Sequence, residues 1–524
     1  MADRRDLNRF RAERGQSDVA EAPPRPRSAV AAPSRGPAQL AEIAEIADLA
    51  TAEADPRRSL RRRSLPLVGT AALSVGIQGP VAGVIVGPAV LASIVGGSGA
   101  LAYLLGLIAM GFVAYAFVIF SRTFNSAGSV YAFNGAALGP AYGFVSAWML
   151  WLVYASFAAG VYASTADIAQ NLLAMLGVSI GWVPLALAGF VVSTTFAYRS
   201  IRWSTGAILA LEGAAVLMLA VVGAFVLARG GGGGHHFSAA PFGLHGIGLA
   251  VLGLGVVNAF SAFSGFEGAA VLGEEARRAT RTIPAAIVLS LIGSAAVYIV
   301  FTWIADNAFP GPAALAASPA PFVHLATVDV GRGMGYAVNA AGVISAIGAQ
   351  LACVNAANRL LFALGRDVCP VDGRAHRLLT LTHVRFASPI GALAVTGALS
   401  LAGLLAFAPG RTAIGALTVI VEYGAYLMIV VYLMTVVGAI AWVWRTRRRP
   451  VPLAVLALGV AILGYVLYDT FVPFPAPPFR GDAIAAAASV LAGVGLAIVP
   501  SIRRRLASSP LLCALRPVTE SPVR

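Results

Sequence analysis

The chain has no lysine: all 37 of its basic residues are arginine. It is short of charge altogether, with 11% of its 524 residues charged against 58% apolar. A soluble fold carries roughly 25% charged residues, so there is too little polar material here to cover a globular surface, and a water-soluble domain is excluded. Three cysteines, Cys353, Cys369 and Cys513, have no paired spacing, which removes a disulfide framework and a thiolate metal centre. The apolar runs hold no HExxH, no clustered metal ligands and no Ser/His or paired-aspartate arrangement; enzyme chemistry within a membrane therefore has no residues to carry it. A sensor that binds a ligand without moving it would need a relay, and the leader contains no recognisable domain. His235 and His236 adjoin in GGGGGHHF (230–237), but adjacent side chains on a glycine-rich loop chelate poorly. No metal and no cofactor is expected.

What is there is a series of apolar runs, and the mean hydropathy is +0.80. The runs are roughly 18 to 25 residues long, the length that spans a bilayer. They predict an all-α polytopic membrane protein with twelve spans, centred near residues 80, 110, 154, 188, 217, 257, 293, 348, 397, 430, 458 and 490. Residues 65–502 form the membrane domain. A leader, 1–64, is largely disordered by composition; within it AQLAEIAEIADLATAEA (38–54) reads as a short amphipathic helix or as a solvated tail. No cleavable signal precedes the first run. The net charge of +14 could suggest nucleic acid, but its distribution argues for topology. With RRSLRRRS (57–64) inside, fourteen arginines fall in cytoplasmic loops, against four (Arg229, Arg332, Arg411 and Arg480) in external ones. This is a positive-inside pattern. It places both termini, including the tail 503–524, on the cytoplasmic side of the cell membrane.

Two spans carry interruptions. In a bilayer each unsatisfied backbone N–H or C=O costs several kcal/mol, so a helix breaks only where protein or a cavity satisfies it. The first span crowds Gly76, Ile77, Gln78, Gly79 and Pro80 at mid-membrane, and the sixth reads FSAFSGFEG (260–268). They stand about 187 residues apart, as the first members of two five-helix halves would. That is the pattern of an inverted-repeat secondary transporter, in which discontinuous helices meet at the substrate. Glycine also serves close helix packing, the better reading for Gly83 and Gly87.

The segments SGFEGAAVLGEEARRATRTIPAAI (264–287), VNAANRLLFALGRD (354–367) and NSAGSVYAFNGAALGPAYGFVSAW (125–148) resemble signatures of the amino acid–polyamine–organocation superfamily of permeases, in that family's order. The resemblance implies inverted repeats of helices 1–5 and 6–10, with helices 1 and 6 discontinuous, plus two C-terminal helices. It also implies an amino acid or related amine as substrate. On that basis Ile77, Gln78, Gly79 and Pro80, with Gly76 before them, hold the substrate carboxylate. Ala262, Phe263 and Ser264 offer carbonyls to its amino group beside Gly265, and Phe266 is an aromatic lid. Ile-Gln-Gly-Pro departs from the family's usual Gly-Ser-Gly break.

Glu212, Glu267 and Glu422 lie within spans, and Asp167 toward the outer end of the third. An ionised acid at a helix centre costs roughly 2.5 to 3.5 kcal/mol, and a carboxyl that alternates between states can carry a proton. Glu212, standing where relatives place a cation, and Glu267, just past the sixth-span break, are the candidates for proton coupling. A protonated glutamate bonded to a neighbouring helix is the alternative for each. Glu422 is either part of an extracellular gate or a packing residue. Glu274 and Glu275, paired with Arg277, Arg278 or Arg281, would lock an inner gate, or form a solvated charge run. Thr282 and Pro284 suit the cap and first turn of helix seven. Trp151, Tyr154 and Asn355 are candidate cavity residues. The reading is a proton-coupled permease acting by alternating access, with an exchanger or a polyamine carrier as the nearest rival.

Overall fold

The structure, a computed structural model, describes residues 60, 63–124, 126, 128–230, 237–370, 373–446 and 449–509. The leader helix expected at 38–54, the histidines at 235 and 236 and the third cysteine lie outside them.

The first span is a broken pair, α1 (Leu67–Gln78) and α2 (Pro80–Val95). It is followed by α3 (Gly99–Ser121), a short α4 (Val130–Leu138), α5 (Pro140–Met175), α6 (Trp182–Tyr198) and α7 (Ile201–Arg229). The sixth span comprises α8 (Leu249–Ala262) and a 3₁₀ stretch, Phe266–Leu272. Next come α9 (Ala279–Ala308), two short helices, α10 (Pro312–Ala316) and α11 (Pro321–Leu325), and α12 (Arg332–Val368). The chain continues through α13 (Arg374–Leu379), α14 (Ile390–Phe407), α15 (Ala413–Thr446), α16 (Pro450–Phe471), α17 (Arg480–Ile498) and α18 (Pro500–Ser508). Among the described residues, eleven helical stretches are long and apolar enough to cross a bilayer. The fourth run predicted from sequence is α6, an apolar helix of 17 residues. At 1.5 Å per residue it reaches about 26 Å, a little under the ~30 Å hydrocarbon core.

Helix nine of this order begins earlier than Thr282 and Pro284 suggested. Arg278 is its N-cap, in the left-handed region at φ 48°, and Pro284 lies inside the helix. The Thr282 hydroxyl bonds back to the Arg277 carbonyl, so the extra turn forms upstream and proline is accommodated within its early turns.

Loops expected on one side of the membrane are tied together at one end of the bundle. Leu65 bridges to Ala276, Ser388 Oγ donates to the Tyr198 carbonyl (2.7 Å), Arg445 to that of Ala137 (2.9 Å) and Arg505 to that of Cys369 (3.3 Å). At the opposite end Ser98 Oγ donates to Gly243 O (2.8 Å) and Trp182 Nε1 to Arg411 O (3.0 Å).

The centre is built around α1, which packs against α7, α9, α12 and the 3₁₀ stretch. Close approach needs small residues. A Cβ on Gly76 would lie 2.7 Å from Ala352 Cβ and 2.8 Å from Ile208 Cγ2. Gly83 and Gly87 do serve packing, but of rings rather than helix backbones: their missing side chains admit the hydroxyl ends of Tyr298 and Tyr103, whose rings stack at 5.0 Å.

Gly265 is a tight point of this centre. Its φ is 105°, a region closed to other residues at low cost, and an added Cβ would stand 2.3 Å from Ile77 Cγ2. Gly265→Ala is expected to destabilise the protein by roughly 1–3 kcal/mol, seen as a lower melting temperature after purification in detergent. A second change, Ile77→Ala, should restore the steric part only.

Candidate functional site

The first-span interruption is a single residue. Helix α1 continues through Gln78, and Gly79 turns left-handed at φ 52°. Its N–H then reaches the carbonyls of Val75 (3.0 Å) and Gly76 (3.1 Å), while Pro80 brings no N–H and opens α2. Because one glycine cap satisfies two carbonyls, the unwinding expected over Gly76–Pro80 narrows to Gly79. The sixth-span break is wider: α8 stops at Ala262, Phe263 and Ser264 leave the helix, and Gly265 redirects the chain into the 3₁₀ stretch.

The two breaks abut, and their polar groups are exchanged between them. Gln78 Nε2 donates to the Phe263 carbonyl (3.1 Å), and Gln78 Oε1 accepts from Ser294 Oγ (2.6 Å). The Gln78 carbonyl accepts from the Tyr298 hydroxyl (2.8 Å). One turn earlier Ser74 Oγ donates to Phe266 O (2.7 Å) and accepts from Ala269 N–H (2.8 Å). Ile77 fills the space against Gly265 and Gly268. Of the ten residues expected at the substrate, Ile77 and Gln78 meet Phe263 and Gly265 across the joint, and the other six adjoin these contacts along the chain. Phe266 lies between Phe117 (5.3 Å) and Tyr432 (5.5 Å). The ring packed edge-on against Tyr103 (6.1 Å) and Tyr298 (5.6 Å) is Phe263.

Glu267 is fully buried beneath the joint. Its Oε1 accepts from Tyr154 (2.9 Å); its Oε2 accepts from Tyr432 (2.7 Å) and from the Gly265 N–H (3.1 Å). The glutamate therefore satisfies the break's own backbone while linking α5 and α15 to it. Glu212, on α7, is a separate site. Both its oxygens are within bonding distance of Ser345 Oγ on α12, at 2.9 and 3.0 Å. Ser345 in turn accepts from the Ala82 N–H at the start of α2 (3.3 Å), so one hydroxyl joins the acid to the half-helix beyond the break.

Glu274 and Glu275 are paired differently from expectation. Arg359 of α12 holds Glu275 through Nε (2.6 Å) and Nη2 (3.3 Å), and its Nη1 bonds Asn355 O and Oδ1, both at 3.0 Å. Arg366 holds Glu274 (2.9 Å). Arg277 and Arg278 are exposed; the turn between them and α9 directs them outward, while α12 runs directly behind the acids. Arg359 is 2% exposed and Glu275 1%, so this pair is sequestered from water. The adjoining backbone is locked too, Ser64 and Leu65 N–H donating to Glu275 O at 2.8 and 3.0 Å.

Of the other candidates, Tyr154 joins the site, Asn355 positions Arg359, and Trp151 turns away, its Nε1 donating to Thr396 Oγ1 of α14 (3.1 Å). Glu422 lies beside Tyr426 and Asp482, toward α17 rather than the joint. Asp167 accepts from Asn171 (3.4 Å). Sequence reasoning missed Ser74, Ser294, Tyr298, Ser345, Tyr432 and Arg359. Hydroxyls in apolar helices carry no signal of their own. Arg359 does, because an arginine inside an apolar run requires a buried partner.

Residues 65–496 match the amino acid permease family. The chain is similar to an uncharacterized transporter of Mycobacterium tuberculosis, 30% identical over 75% of this chain and 82% of that protein. It is also similar to the methylthioribose transporter of Bacillus subtilis, at 25% over 63% and 70% of the two chains. The human cationic amino acid transporter 4 is 28% identical over 67% of this chain and 55% of its own length.

Removing one partner of a sequestered ion pair strands the other charge, a loss of about 3–5 kcal/mol. Arg359→Met should therefore lower the melting temperature of the purified protein sharply. The double variant Arg359→Met with Glu275→Met should recover most of that loss; no recovery would assign the effect to packing.

Proposed function

The chain belongs to the amino acid permease family, within the amino acid–polyamine–organocation superfamily, and from that premise we propose that it is a proton-coupled secondary transporter of an amino acid or related amine, working by alternating access. The observation that carries this reading is the meeting of two mid-span breaks at Ile77–Gln78 and Phe263–Gly265. Irregular backbone at membrane depth is tolerated only where it is buried in protein or lines a cavity, and paired discontinuous helices are the arrangement that forms a substrate site in secondary transporters. In this reading α6 is the fourth of twelve spans, spans 1–5 and 6–10 are inverted repeats, and α16 and α17 complete the bundle. The arginine-rich end faces the cytoplasm across the cell membrane.

The N-terminus of α2 presents partial positive charge to a substrate carboxylate, and carbonyls over Ala262–Ser264 face an ammonium. Glu275–Arg359 and Glu274–Arg366, with the backbone pairing at Leu65, form the inner gate, which must part for release. Glu212 is the coupling group: Ser345 connects it to the backbone of α2, so a change in its protonation alters the support of the half-helix that borders substrate. Glu267, bonded by two tyrosines and the Gly265 N–H, is the second candidate.

The test is transport by purified protein in proteoliposomes, preceded by a thermal-shift screen of the standard amino acids and small amines. Counterflow of a compound that stabilises the protein is expected; binding without counterflow, or recovery of an altered product, would overturn the reading. Glu212→Gln should lose accumulation driven by a pH gradient while substrate exchange continues. Undiminished accumulation would remove Glu212 from the coupling role.

A further inference from the structure

We infer that Gln78 is an internal substitute for cargo: its carboxamide occupies the hydrogen-bonding positions of the joint so that the protein closes and reorients without substrate, giving net transport rather than obligatory exchange. The inference rests on the transport reading above and adds to it a role for one residue.

Breaking the sixth span releases the Phe263 carbonyl at a position with no access to water; Phe263, Ser294 and Tyr298 are at most 1% exposed, and Gln78 is 7% exposed. A buried acceptor of this kind must be bonded in every closed form of the protein. An ammonium on the substrate could bond it when cargo is aboard. For the return step a different donor is required, and the geometry supplies one: Gln78 Nε2 stands 3.1 Å from Phe263 O.

The amide's orientation is fixed rather than incidental. Ser294 Oγ donates to Oε1 at 2.6 Å, which turns the NH₂ toward the sixth span. Tyr298 anchors the residue's own carbonyl at 2.8 Å and is itself braced by stacking on Tyr103. Ile77 fills the remaining space against Gly265 and Gly268, so the joint is closed by side chains of α1 and α9.

The residue type also suits the task. A neutral amide carries no desolvation cost of charge and does not titrate. Hydrogen bonds from an ionised donor are roughly twice as strong as neutral ones, so a substrate ammonium displaces the amide, whereas a lysine at this position would compete on equal terms. The carboxamide is strong enough to satisfy the carbonyl and weak enough to yield.

The experiment compares exchange with net efflux in proteoliposomes lacking a pH gradient, using labelled arginine, leucine and putrescine as probes. The unaltered protein is expected to show both fluxes with at least one probe. In Gln78→Leu, which keeps the volume and removes the donor, the ratio of net efflux to exchange should fall roughly tenfold. Ser294→Ala, which frees the amide to rotate, should lower the ratio by a smaller factor, and it carries the test if Gln78→Leu does not purify as a monodisperse protein. An unchanged ratio in both variants would overturn the inference while leaving the transport reading intact. Loss of both fluxes in proportion would make Gln78 a cargo ligand only. No flux of any probe through the unaltered protein would overturn the transport reading and this inference with it.

Discussion

Backbone polar groups inside a bilayer have no water to bond, and the centre of this protein is arranged around that constraint. Two helices are interrupted at mid-span, and each break is satisfied by the other or by its immediate neighbours. Gln78 reaches the Phe263 carbonyl and Ser74 bonds both Phe266 O and Ala269 N–H. Tyr298 takes the Gln78 carbonyl, and Glu267 takes the Gly265 N–H. Nothing in this set can be removed without stranding another member, which is why side chains from α1, α5, α9 and α15 converge there.

The charged groups divide by depth. Glu212 and Glu267 are bonded by hydroxyls and backbone N–H, environments that tolerate a change of protonation because the hydroxyls can reorient. Glu275 instead meets a guanidinium, which stays charged and planar at any physiological pH. A carboxylate held by two parallel N–H donors is suited to locking an end, whereas one held by a single serine is suited to switching. The difference in partner chemistry is what separates gate from coupling site in the proposed cycle.

Much of this was legible in the primary sequence. Composition and run length dictated a membrane-spanning α-helical chain, because the apolar runs have the length of spanning helices and a helix closes its own backbone hydrogen bonds in lipid. Glycine and proline at 76–80 and glycine within 260–268 marked the breaks, and the structure brings both to one joint. The arginine pattern grouped loops that the structure ties together at one end. The errors were local. The first break is one residue because Gly79 caps two carbonyls at once, and α9 starts before Pro284 because Arg278 adopts the left-handed cap.

Partner identity was not legible. Glu275 pairs with Arg359 across 84 positions, not with the arginines two and three residues along, since the turn throws those outward. Serine and tyrosine hydroxyls in apolar helices look alike in sequence; only the packing of α1 against α7, α9 and α12 decides that Ser294 meets Gln78 and Ser345 meets Glu212. The sequence by itself determined that the chain crosses a membrane many times as helices and where two of those helices must fail, because both follow from local hydrogen bonding and transfer to lipid. Tertiary structure alone decided which group satisfies each failure, because that depends on which helices stand side by side.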